Sequence, residues 1–361
     1  LIQLGFSRVV AGAWNENRLF SVLLELTYRC NLDCFFCYND LGKRGEVIPR
    51  ERYLTLLDEF REQGVLVLAL SGGEPLMHPG FWEIATRASD LAFSLRIKTN
   101  GHGWTADAVR RLYEEVRPFR VEVSLHGARP ETHDQQTRVK GSFDRLMTVL
   151  PLMVSQGLRV KLNCSLTTWN AGEIKEMTAL AEDLGLLLIL NTTVSPRDNG
   201  DLTPLMIAAT PAQMEEVRAF AAFREGRVAV ESEPDEIPAE LASRKNCGAG
   251  SSSLTIDPFG NVYPCVQWRR PVGNILQKSL SEIWMGNRAL EEVRDLAVAA
   301  KIVRDSLPAI PEGGFCPGLA EVSTGHAASP YALPSIPVHH MNRAETISRR
   351  TNGPQDPANP R

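Results

Sequence analysis

The chain has 361 residues, enough for one large domain and a smaller second one. Hydrophobic residues at 43% and charged residues at 23% fit an ordinary globular protein, and a net charge of −4 gives no basic field for nucleic acid. There is no stretch of eighteen apolar residues and no signal-peptide layout, so neither membrane nor export is expected and the predicted setting is cytoplasmic. Seven cysteines, unevenly clustered, then point to metal ligation in a reducing compartment rather than to disulfides. The chain opens on Leu1 rather than methionine, which reads as a trimmed start.

Residues 1–20 are a mixed lead-in that adds at most one strand. From Ser21, short apolar runs alternate with amphipathic ones. Strands are predicted at 21–27, 65–70, 94–98, 119–125, 158–166 and 186–193, and helices at about 50–63, 80–90, 105–116, 141–157 and 170–184. Runs such as Val65-Leu66-Val67-Leu68-Ala69-Leu70 are apolar on both faces, as in a buried parallel sheet. The alternation predicts an α/β fold with right-handed crossovers, either an open doubly wound sheet or a barrel. Six units are too few for eight strands. The pattern stops after Val194-Ser195-Pro196; the block 21–205 is followed by a helical linker, 206–246, with an acidic, Pro-broken stretch at 231–236. A second cysteine-bearing module covers 247–326, and 327–361 reads as a disordered tail, where His339 and His340 are better explained as solvated than as metal ligands.

Cys30, Cys34 and Cys37 stand with gaps of three and two residues in a loop leaving the first strand. Thiolates so spaced can each take a different iron of one cube, leaving the fourth iron open to a small chelator. A structural zinc site would want a fourth Cys or His nearby, and none follows in the loop. Phe36 adds an aromatic face. The second strand ends in Ser71-Gly72-Gly73-Glu74-Pro75, where two glycines allow close backbone approach and Glu74 can accept from an ammonium group. Taken alone, this is a strand-to-helix turn.

Together, the CxxxCx(aromatic)C triplet and GGEP resemble the radical S-adenosylmethionine (radical SAM) enzymes. The resemblance implies an incomplete (β/α)6 TIM-like barrel with the cluster at the C-terminal strand ends. It implies a [4Fe-4S] cluster on Cys30, Cys34 and Cys37, with SAM bound at the open iron through its amino and carboxylate groups. Gly72, Gly73, Glu74 and Pro75 would take the methionine amino group, and Phe36 would lie beside the cluster. Asn100, on the polar end of the third strand, would meet the ribose. Ser124, ending the fourth strand, and Arg138, shortly after His133-Asp134, match positions that hold the cofactor carboxylate in the peptide-modifying branch; a guanidinium fork suits that task. Asn163 is a further ribose or carboxylate contact, whereas Cys164 reads as core. The commonest family residue at position 126 is Asp; His126 stands there here, and reads as a hydrogen-bonded polar residue before a proton-transfer group. No catalytic residue beyond the cluster ligands is assigned.

In the C-terminal module, alternating runs around Asp257-Pro258-Phe259-Gly260-Asn261 predict a β-hairpin able to bring Cys247 and Cys265 to one metal. With Val272-Gly273-Asn274-Ile275, a helix at Leu280–Trp284 and the late Cys316, it resembles the SPASM/twitch auxiliary-cluster domain. A full SPASM domain uses seven cysteines for two clusters; this module has three, and Leu319 stands where another is expected. One auxiliary [4Fe-4S] cluster on Cys247, Cys265 and Cys316 with a non-cysteine fourth site is the economical expectation, against a module that kept its shape and lost its cluster.

The resemblance implies reductive cleavage of SAM to a 5′-deoxyadenosyl radical that abstracts hydrogen from a substrate, with electrons from a donor such as flavodoxin or ferredoxin. The favoured substrate is a ribosomally made peptide, crosslinked, epimerised or oxidised; no peptide-recognition domain precedes the barrel, so leader binding would fall to a partner protein or another surface. The alternatives are a small-molecule dehydrogenase or haem-pathway enzyme, and a non-catalytic iron–sulfur carrier. A carrier has no use for Glu74, Ser124 or Arg138.

Overall fold

A computed structural model describes residues 2–223, 228–230, 243–307 and 315–331. The opening residues form helix α1 (Ile2–Asn15), where a strand or a plain lead-in was expected. The cause is tertiary. Lys245 donates to the Trp14 carbonyl and to Asn17, which places a cation at the C-terminal end of the helix.

The six predicted strands all form: β1 (Ser21–Thr27), β2 (Val67–Gly72), β3 (Ser94–Thr99), β4 (Arg120–Ser124), β5 (Val160–Ser165) and β6 (Leu188–Asn191). Between them run α2 (Arg50–Glu62), α3 (Phe81–Asp90), α4 (Ala106–Arg111), α5 (Pro130–Thr137), α6 (Ser142–Ser155) and α7 (Ile174–Asp183). Their apolar stripes seal one face of the sheet. In α2, Tyr53, Leu56, Leu57 and Phe60 are buried, and in α3 Phe81, Ile84, Ala85 and Ala88 repeat that spacing. Each large side chain so buried contributes about 1.5–3 kcal/mol before entropy is counted. The predicted 105–116 helix divides, α4 passing into a wider π turn at Leu112–Val116 that ends on the left-handed Arg117.

The β/α pattern continues beyond Pro196. After α8 (Pro211–Phe223), the strand β7 (Val228–Val230) pairs parallel with β6. At three residues it is too short for any period to reveal. The predicted hairpin is β8 (Ser253–Ile256) with β9 (Asn261–Tyr263), and β8 runs parallel against β1. A short β10 (Gly273–Asn274) completes one ten-stranded sheet in the order β10-β9-β8-β1-β2-β3-β4-β5-β6-β7, curved as a partial barrel and not closed. Helices α9 (Leu280–Trp284), α10 (Arg288–Ser306) and α11 (Pro317–Thr324) follow; a Ser279–Glu282 capping box starts α9. The acidic stretch 231–236 and most of the C-terminal tail, with His339 and His340, lie outside the described residues. No described helix is long and apolar enough to cross a membrane.

Along β3, Leu95, Ile97 and Thr99 are buried, while Ser94, Arg96 and Lys98 face the other way. That second face lines the interior of the partial barrel. It is polar along β3, β4 and β5.

Candidate active site

The three-cysteine loop is fastened from two sides. Asp33 and Phe35 amides donate to the carbonyls of Thr137 (3.1 Å) and Gln136 (2.9 Å) at the end of α5. Arg197 clasps it from beneath, donating to the carbonyls of Cys37 (3.1 Å) and Phe35 (3.3 Å). Fixed carbonyls and amides leave the sulfurs little freedom but to face inward.

Gly72 and Gly73 are required where the ends of β1 and β2 meet. A Cβ on Gly72, whose φ is +129°, would lie 2.3 Å from the Thr27 carbonyl, and one on Gly73 would lie 2.3 Å from that of Arg29. Backbone therefore approaches both the cysteine loop and the cavity.

A cavity of about 330 Å³ opens at these strand ends. Cys30, Cys34, Cys37, Phe36, Gly72, Gly73, Asn100, Ser124 and Asn163 all line it. Asn100 also braces the loop, donating to Asn31 Oδ1 (2.8 Å) and towards Cys30 Sγ (3.5 Å). Cys164 is fully buried in the core. His126 lines the cavity with its ring 4.5 Å from Phe36. Its Nδ1 accepts from the Ser165 amide (3.3 Å), and His133 Nδ1 accepts from the His126 amide (3.2 Å), so both rings carry their proton on Nε2. Burial above all pushes His126 down to about 3 and His133 to about 4; both are neutral at pH 7.

Three expected cofactor contacts, Glu74, the buried Pro75 and Arg138, stand away from the cavity wall. The Glu74 carboxylate is 1% exposed and already accepts from Thr99 Oγ1 (2.8 Å), the Asn100 amide (2.9 Å) and the Leu76 amide (3.4 Å). It caps the short 3-10 turn begun by Pro75 and ties the ends of β2 and β3 together. Arg138, at the left-handed end of α5, has a half-exposed side chain that pairs with Asp33 (3.4 Å) and lies over Phe35.

Burial raises Glu74 to about 7. With a folded-state value above the unfolded one, its contribution is complete below about pH 4.5 and is lost as pH rises through 7. Without SAM, native stability should fall between pH 5 and 8 by up to about 3 kcal/mol more than in Glu74→Gln. Parallel urea-unfolding slopes against pH for the two proteins would refute this.

Sequence reasoning missed the buried pair beneath the loop. Arg269 grips the fully buried Glu25 with two hydrogen bonds of 2.9 and 2.7 Å and reaches Asn39 Oδ1 at 3.3 Å. Tyr28 also donates to Glu25 (3.1 Å), and Asn39 donates to the Gly72 carbonyl (3.1 Å). The segment after Cys265 is thus joined to both cofactor motifs. Nothing in sequence spacing links Glu25 to Arg269.

In the C-terminal module, Cys316 lies within electrostatic reach of Cys265 and Cys247, and burial pushes its thiol up to about 12. Gln267 sits between the two cysteine groups: it lines the cavity at the strand ends, its backbone N–H points to Cys265 Sγ (3.4 Å), and its Oε1 accepts from Cys316 Sγ (3.6 Å). Among the described residues, no three His, Cys, Asp or Glu side chains converge tightly enough for a single metal ion. A zinc site needs that convergence; a cube, with one thiolate per iron, does not. N–H groups aimed at Cys30 and Cys265 would suit these sulfurs as thiolates of a cluster. The donor sets fit iron–sulfur clusters.

Partial barrel, cysteine loop and glycine turn define a class, and comparison agrees. Residues 24–183 match the radical SAM superfamily model, and 247–308 match that of the SPASM iron–sulfur cluster-binding domain. The chain is 30% identical over 290 residues to the mycofactocin maturase MftC of Mycolicibacterium smegmatis, covering 75% of this chain and 71% of that one. It is 28% identical to the PqqA peptide cyclase of Streptomyces rochei, covering 92% and 94%, and 28% identical to the AdoMet-dependent heme synthase of Methanosarcina barkeri, covering 75% and 83%. Among solved structures, Streptococcus suis SuiB bound to S-adenosylmethionine shares the fold with a TM-score of 0.62 at 17% identity, covering 78% of this chain and 68% of that one. The chain belongs to the radical SAM superfamily and carries a SPASM-type domain. It is an enzyme whose cofactors are a [4Fe-4S] cluster with S-adenosylmethionine and auxiliary iron–sulfur.

Proposed function

We propose that the protein is a peptide maturase, its cavity holding S-adenosylmethionine against a cluster on Cys30, Cys34 and Cys37. The carrying observation is convergence: three cysteines of one loop line the same cavity as Gly72, Gly73, Ser124 and Asn163. When bound, cluster and cofactor supply a 5′-deoxyadenosyl radical able to take an unactivated hydrogen atom. The chain's residues bind and orient. Gly72 and Gly73 offer backbone to the methionine amino group, while Glu74 keeps that turn in shape from behind. Ser124 and Asn163 provide hydroxyl and amide contacts; Arg138, half exposed and paired with Asp33, would turn from that pairing to supply the cation for the carboxylate. His126 offers a fixed Nε2–H to the bound ligand. Core packing and the C-terminal module exclude water from the radical.

The relatives named for maturing mycofactocin, cyclising the PqqA peptide and making subtilosin support a peptide substrate, as does the SuiB structure with its precursor peptide. A leader-binding partner and an external one-electron donor of the flavodoxin or ferredoxin kind complete the reading. The heme synthase relative keeps a small-molecule substrate as the second reading.

Cys247, Cys265 and Cys316 would hold one auxiliary cluster, the fourth iron taking a non-cysteine ligand. Anaerobically reconstituted protein should therefore carry about eight irons and form 5′-deoxyadenosine with SAM and dithionite. Cys265→Ala should lose about four irons and product formation yet keep uncoupled SAM cleavage. About four irons in the parent protein, with full turnover in the variant, would reduce the module to a shape-giving relic.

A further inference from the structure

The C-terminal module reaches the cavity at one point. Of the described residues that line it, only Val266 and Gln267 come from that module, and they directly follow Cys265. The same two residues wall a second, smaller cavity of about 170 Å³. They sit in a tight turn, in which the Trp268 amide donates to the Cys265 carbonyl at 3.1 Å. Trp268 is 2% exposed, and its ring N–H meets Glu321 on α11 at 3.2 Å. On the other side, a Cβ at Gly318 would lie 2.4 Å from the Gln267 carbonyl. The turn and the start of α11 are therefore packed backbone to backbone, and that packing brings Cys265 and Cys316 together.

Main-chain N–H groups serve both sulfurs. Cys265 receives those of Gln267, Trp268 and Val266, and Cys316 those of Leu319 and Gly318. Gln267 adds a side chain to this set, its carboxamide oxygen 3.6 Å from Cys316 Sγ. A thiol donates to that oxygen. A thiolate that holds iron only accepts, and a half-turn of the carboxamide then presents Nε2–H to it. Hydrogen bonds to cluster sulfurs help set the reduction potential, and a donor favours the more negative, reduced state.

We infer that Gln267 is a positioning residue for the auxiliary cluster: its carboxamide donates to the Cys316 sulfur from the cavity wall and makes that cluster easier to reduce. This rests on the reading that Cys247, Cys265 and Cys316 hold a cluster, and it names the side chain through which that cluster and the cavity meet.

The test is a dithionite potentiometric titration of reconstituted holoenzyme, followed by electron paramagnetic resonance. The signal that Cys265→Ala lacks identifies the auxiliary cluster. In Gln267→Leu, reduction of that cluster should become about tenfold less favourable, a fall of about 59 mV for one electron. Iron should stay at about eight per chain, and the cluster on Cys30, Cys34 and Cys37 should keep its potential. Gln267→Lys restores a donor and adds positive charge, so it should match or exceed the parent. A change below about twofold in Gln267→Leu would overturn the inference. So would an equal shift of both clusters, a Gln267→Lys protein as hard to reduce as Gln267→Leu, or loss of about four irons from Gln267→Leu, which would make Gln267 part of the iron site itself. A parent protein with about four irons and a single signal removes the auxiliary cluster and this inference with it. About eight irons with an unmoved potential removes only the role of Gln267.

Discussion

Replacing Cys30, Cys34 and Cys37 together with alanine is expected to remove about four irons per chain and to abolish 5′-deoxyadenosine formation. The expectation is all-or-none because these are the only cysteines in the loop, and the rest of the cavity supplies mainly amides, hydroxyls and imidazoles instead. The loop backbone should survive. Its main anchors are main-chain bonds to α5 and the Arg197 clasp, none of which uses a thiol, so only the longer Leu32 and Asn100 contacts to Cys30 Sγ are lost. Burial raises all three thiols above their ordinary range, so without metal the side chains are neutral and alanine can replace them without stranding a charge. Unfolding by urea should therefore move little while iron and activity disappear. A triple variant that still cleaves SAM would refute the assignment of this loop.

Arg269→Met is expected to destabilise the fold strongly. Glu25 is fully buried and the arginine side chain is only 11% exposed, so removing the guanidinium strands a carboxylate in the core. Breaking such a pair costs about 3–5 kcal/mol, a large part of a domain's net stability. Removing both charges, as in Glu25→Gln with Arg269→Met, should return much of the loss, because neither group is then left unpaired. The loop should suffer as well, since Arg269 also reaches Asn39, whose amide holds the Gly72 carbonyl. Chemical denaturation of the single and double variants measures this directly. A loss below about 1 kcal/mol for Arg269→Met would mean that water reaches Glu25.

The parts legible in advance were those written locally. Apolar runs bounded by turn residues announced six strands, because a strand buried on both faces must be apolar throughout. Cysteine gaps and the glycine pair were legible because cluster ligation and close backbone approach each demand a residue type that nothing else replaces. The β8–β9 hairpin belongs to the same group, with Gly260 taking the left-handed turn. Helix α1 and strand β7 were not legible: the first owes its anchor to Lys245, the second is too short to show a period.

Site residues divide along the same line. Ser124 and Asn163, expected as cofactor contacts, line the cavity from polar strand ends, where alternation decides which face a side chain takes. That Glu74 turns inward to Thr99 and Asn100, and that Arg138 leans outward over Phe35, depended on neighbours brought together by folding. The class of enzyme, the three-cysteine loop and the succession of the six strands follow from the amino-acid order alone, since each rests on residues close along the chain. Only folding in three dimensions brings Glu25 to Arg269 across the sheet and sets Lys98, Glu122 and Lys161 in one row. Charge pairing and cavity shape depend on distances in space, and strand register between segments far apart in the chain sets those distances.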